Sequence, residues 1–139
     1  MTGQQWFLRY AGPCLRLRLE TDRIDQEIYS QLQRCLKDRL DPDENLLKQG
    51  FGEAFNSYVK VGIEPRWSTE SVKWYWHNQH RHESGIKRDV WSGTVIAVNG
   101  RMVTIRIGHA TILVENFYNL EVKIGDKVFN HQIYLIEIL

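Results

Sequence analysis

The stretch Gly93-Thr94-Val95-Ile96-Ala97-Val98-Asn99-Gly100-Arg101-Met102-Val103-Thr104-Ile105-Arg106-Ile107 decides how the chain is read. Two runs of β-branched and aliphatic residues flank Asn99-Gly100. Asn-Gly favours a tight hairpin, because residues in such a turn must accept positive φ. A turn centred on Asn99-Gly100 sets Ile96 opposite Val103 and Thr94 opposite Ile105, so turn and apolar pattern agree on one buried face. Downstream, Ala110 to Glu115, Val122 to Val128 and Ile133 to Leu139 are further short extended segments, separated by Gly108-His109, by Asn116 to Leu120 and by polar turns. Five short strands between Trp91 and Leu139, with glycine at the turns, predict a small closed barrel.

Gly93-Thr94-Val95-Ile96-Ala97-Val98, a hairpin, and then Val122-Lys123-Ile124-Gly125-Asp126-Lys127-Val128 resemble the pattern of SH3-like and OB-like small barrels. In those folds a Gly-Asp turn precedes a strand entering the core. The resemblance covers residues 91 to 139 and implies an architecture. Barrels of this kind bind RNA, DNA, proteins or other domains, so the likeness selects no function. The last strand, Ile133 to Leu139, is apolar on both faces. Such a strand is expected to be covered on both, by the barrel and by either the N-terminal unit or a second subunit.

The first 90 residues carry no family resemblance. Trp6 to Tyr10 is short and aromatic, and Leu15-Arg16-Leu17-Arg18-Leu19-Glu20 alternates strictly. That alternation predicts a strand with one buried face, paired with the first segment around Gly12-Pro13. A helix follows, capped by Thr21 or Asp22, with Ile24, Ile28, Leu32, Cys35, Leu36 and Leu40 on one face. Asp41-Pro42-Asp43-Glu44 begins a second, short helix that stops near Gly50. Phe51 to Val61 reads as helix or strand. Ser68 caps a further helix over about 69–82. The resulting expectation is an α+β fold: a mixed α/β unit with two or three helices over residues 1–88, then a five-stranded antiparallel SH3-like/OB-like barrel over 89–139.

Composition narrows the functional classes. Hydrophobic residues make up 42% and charged residues 25% of 139, which excludes a disordered chain. The net charge of +1 gives no overall field toward a polyanion, so charge-driven binding needs a local patch. No run of about 18 apolar residues offers a membrane span. The N-terminus lacks the basic and apolar regions of a signal peptide, so a cytoplasmic location is expected. Cys14 and Cys35 are read as reduced thiols.

The chemistry-bearing segment is Arg66 to Trp91, which interleaves tryptophan with arginine, lysine and histidine. On an α-helix, Lys73, His77, His80 and Arg81 share one stripe, and Val72, Tyr75, Trp76 and Gln79 another. A nucleic-acid surface would use Arg66, Lys73, His77, Arg81, Lys87 and Arg88 on phosphates and Trp74 as a stacking ring, with Trp76 in the core. A merely solvated basic face is the competing reading. His77, His80 and His82 match no zinc spacing, so no metal is expected. No nucleophile elbow, phosphate loop or dinucleotide fingerprint occurs, and neither an enzyme nor a cofactor is expected. The barrel's four basic and four acidic residues balance. Its Phe117, Tyr118 and Tyr134 suit a protein contact. The leading expectation is a small non-catalytic protein associated with RNA or DNA. The alternative is a protein–protein module, an adaptor, assembly subunit or homo-oligomer.

Overall fold

The computed structural model describes residues 1–80 and 90–139. The chain divides into two compact units, Met1–Trp76 and His77–Leu139.

The first unit is helical throughout, which corrects the mixed α/β expectation. Helix α1 spans Gly3–Ala11 and starts with a reciprocal capping box between Thr2 and Gln5. A 3-10 turn, Gly12–Cys14, carries it directly into α2, Leu15–Glu20. The alternating leucines are therefore not a strand. Proline is tolerated in a first helical turn, and Pro13 leaves the chain helical on both sides. Leu15 is buried while Leu17 is 61% exposed. Spacing of four puts Leu15 and Leu19 on one helical face and joins Arg16 to Glu20 at 3.7 Å.

Helix α3, Gln26–Asp38, is capped by Asp25 rather than Thr21 or Asp22. The Asp25 carboxylate accepts from the Ile28 amide at 2.8 Å. Helix α4, Glu44–Val61, is capped by Asp43 and runs on past Gly50 through a kink at Phe51. The Arg18 guanidinium donates to the Gly50 carbonyl at 2.5 Å, beside that kink. Helix α5, Thr69–Trp74, continues as a π-helical turn over Tyr75–Gln79. Phe7 centres the core, its ring 5.3–6.4 Å from those of Phe51, Phe55, Tyr58, Trp67 and Trp76.

The second unit is a five-stranded closed barrel: β1 Val90–Asn99, β2 Met102–Ile107, β3 Ala110–Glu115, β4 Lys127–His131 and β5 Tyr134–Ile138. The order around the ring is β1-β2-β3-β5-β4. All neighbours are antiparallel except β3 and β5, which run parallel and pair at Glu115 and Tyr134. The expectation of a purely antiparallel barrel fails on parity. Strand directions cannot alternate around a closed ring of five, so one seam must be parallel. A mixed five-stranded barrel behind helices fits the SH3-like/OB-like small-barrel architecture, and the parallel β3–β5 seam follows the OB-like order.

The core is Val95, Val103, Ile105, Val114, Val128 and Leu135. Strand β1 serves two ladders, pairing with β4 up to Thr94 and with β2 from Thr94 onward. Gly93 permits this crossing, since a Cβ there would lie 2.8 Å from the Arg106 carbonyl oxygen. The hairpin differs from the expected register. Asn99 pairs with Met102 and Val98 with Val103, so Gly100 and Arg101 form the turn. Gly100 takes the positive φ, +61°, and a bulge at Ile96 then sets Val95 opposite Ile105. At the foot of the barrel the Gly125-Asp126 turn forms as read. Gly125 has φ +96°, and the Asp126 carboxylate accepts from the Lys123 amide at 2.8 Å.

Candidate binding surfaces

In the helical unit, α1 and α5 bring cations onto an aromatic ring. Lys73 Nζ lies 4.0 Å from the centroid of the Trp6 ring, and Arg9 Cζ lies 5.4 Å from it. Trp6 and Arg9 are three residues apart on α1 and so share a face. Next to Lys73, Trp74 is 46% exposed, whereas Trp76 is 1% exposed and stacks on Tyr10 at 5.6 Å. Cations lying on indole faces beside a half-exposed indole form a surface suited to flat, anionic ligands.

Trp6 and Arg9 were missed by the sequence reading because their segment was taken as a strand. Read as a helix, their spacing of three would have placed them together. Arg66 lies elsewhere in the same unit. It holds Glu44 at 3.1 Å, and Glu44 also accepts from the Trp67 indole at 2.6 Å. Those two hydrogen bonds hold the Glu44 carboxyl below its usual range.

The expected stripe of Lys73, His77, His80 and Arg81 does not form as drawn. A π-helical turn follows a wider hydrogen-bond pattern than an α-helix, so spacings of three and four no longer mark one face. His77 lies flat on Phe129 of β4, and its Nε2 is 3.4 Å from a carboxylate oxygen of buried Glu137. His80 meets His131 edge-on at 5.1 Å. Burial, and secondarily His131, pushes the His80 pKa down to about 3, so its ring is neutral near pH 7 and offers no charge to a phosphate. Arg81, Lys87 and Arg88 lie outside the described residues, as does His82.

The barrel gathers its own aromatic cluster. Phe117 meets Tyr118 at 5.0 Å and Tyr134 at 5.5 Å, both edge-to-face. The cluster lies beside the β3–β5 seam, because Tyr134 is the residue paired with Glu115. The Asn116 side chain braces this turn, donating to the Leu120 carbonyl and accepting from its amide. Among the described residues no three His, Cys, Asp or Glu side chains gather as metal ligands, and no helix is long and apolar enough to cross a membrane. Comparison with models of known protein families, and with curated proteins, finds no match for this chain.

Proposed function

We propose that the chain is a small non-catalytic binding module that takes single-stranded nucleic acid on its helical unit. The observation that carries this reading is Trp6 with Lys73 and Arg9 on its ring, beside the half-exposed Trp74. An exposed indole offers stacking to any base, worth about 1–3 kcal/mol per base. The adjacent cations supply the salt-dependent attraction to phosphates. The OB-like strand order adds support by analogy, since such barrels often hold oligonucleotides. The site narrows from the sequence expectation to Trp6, Arg9, Lys73 and Trp74, with Arg81, Lys87 and Arg88 as further phosphate contacts.

The test is a titration of labelled single- and double-stranded DNA and RNA at low and moderate salt. Binding should favour single strands, weaken steeply with salt, and be lost in Lys73→Glu with Trp74→Ala. Absence of binding below about 100 μM, weaker than ordinary non-specific association, would overturn the reading. A protein-interaction module would then stand in its place. That second reading is favoured by the Phe117–Tyr118–Tyr134 cluster on a barrel of balanced charge.

A further inference from the structure

Strand β3 is incompletely paired. Along β2 it is bonded over its whole length, from Met102↔Glu115 to Ile107↔Ala110. On its other side, β5 meets it only at Glu115. Among the described residues nothing pairs with the outer edge of Ala110 to Val114. The direction of each peptide group follows from one bond. The Glu115 amide donates to the Ile133 carbonyl at 2.7 Å, away from β2. Alternation along an antiparallel ladder then turns the amides and carbonyls of Leu113 and Thr111 the same way, and those of Val114, Ile112 and Ala110 toward β2. Two residues therefore present unpaired donors and acceptors at this edge. Ala110 and Thr111 are exposed, and the Leu113 side chain is 56% exposed.

Such an edge is ordinarily blunted with a charge, a proline or a bulge. Ala110-Thr111-Ile112-Leu113-Val114 has no charge and no proline, and it pairs with β2 without a break in register. The geometry points to a second copy of this chain as its occupant, in an antiparallel β3–β3 pairing about a two-fold axis at Ile112. That register sets Thr111 of each copy opposite Leu113 of the other, the two residues whose peptide groups face outward. It brings no like charges together, and at either end it faces Glu115 of one copy with His109 of the other. One strand pair is small beside the roughly 1,200–2,000 Å² of lasting interfaces, so the dimer is weak and concentration-dependent. The inference is independent of the nucleic-acid reading, since it uses the barrel alone.

Sedimentation equilibrium of the full chain over a wide concentration range tests it, with amide hydrogen exchange read at the same concentrations. The average mass should climb from one chain toward two, and the Thr111 and Leu113 amides should gain protection together. Leu113→Lys, at an exposed site, should hold the protein monomeric with an unchanged melting temperature. Should that variant unfold, Thr111→Lys at the same edge serves instead. A wild-type protein that stays monomeric at the highest attainable concentration overturns the inference. So does a dimer that survives the lysine variants, or one whose Thr111 and Leu113 amides exchange as in the monomer.

Discussion

His77 lies face to face with Phe129, their ring centroids 3.7 Å apart and their planes within 16°. The contact draws an imidazole out of the basic surface that its sequence neighbours suggest. It is made from a π-helical turn, Tyr75–Gln79, that spans the boundary between the two compact units. Local widenings of this kind are uncommon and recur at sites with work to do. Here the turn puts Tyr75 and Trp76 in the core of the first unit and His77 on the barrel of the second.

Acid should loosen the barrel through His80. Its pKa is pushed from 6.5 to about 3. A base whose folded pKa is depressed stabilises the fold above its unfolded pKa, and that contribution is lost as pH falls toward the folded value. Denaturation midpoints should thus decline between about pH 6.5 and 3. His80→Gln should flatten the decline, and an equally steep profile in that variant would refute the assignment.

Two glycines should respond oppositely to alanine. At Gly93 a Cβ would press on the Arg106 carbonyl and on Ile105. Gly93→Ala should cost about 1–3 kcal/mol, as overpacking does. At Gly52, inside α4, nothing lies within 4 Å of an added Cβ. Gly52→Ala should stabilise by about 0.5–1 kcal/mol, through the helix preference for alanine. Urea unfolding of both variants checks the signs.

The tryptophans of the bridging segment should separate cleanly. Trp76→Ala removes a buried ring lying 5.3 Å from Phe7 and 5.6 Å from Tyr10, and should cost about 3–5 kcal/mol. Trp74→Ala should shift stability far less while weakening single-strand binding. Thermal melts together with the nucleic-acid titration distinguish the two roles.

Asn130 should be dispensable to stability. Its side chain shares a face with its cross-strand partners Trp91 and Leu135, both of which pack into the barrel. Among the described residues, neither its amide nitrogen nor its oxygen has a hydrogen-bond partner. Replacing an unpaired buried polar group by an apolar one of similar shape is neutral or stabilising. Asn130→Leu should leave the melting temperature unchanged or raise it, and a marked fall would mean that the amide makes bonds in solution.

The barrel was legible because its strands are half-buried, which writes burial into the sequence as alternation. The same property misled at Leu15, Leu17 and Leu19. Leucines at every second position satisfy a strand, yet the first and third also satisfy a helix, and only the surrounding helical core decides between them. The hairpin was recognised but not its centre, since Asn99-Gly100 and Gly100-Arg101 both offer the glycine a turn needs, and the bulge at Ile96 leaves no mark in composition. Trp74 and Trp76 followed the helical period, while His77 departed from it at a π-turn that no residue pattern announced.

The single parallel pair that closes the ring has a mechanical consequence. Strand β5 is held along β4 by an antiparallel ladder and to β3 at one point only. Tension applied at Leu139 loads the β4–β5 ladder from its open end, where the Leu139 amide meets the Lys127 carbonyl. The bonds then break in succession toward Gln132, as a zip opens, instead of sharing the load in shear. A barrel pulled from this end should yield at low force and in small steps, while a pull between β1 and β2 in opposite directions along their axes meets the whole ladder at once.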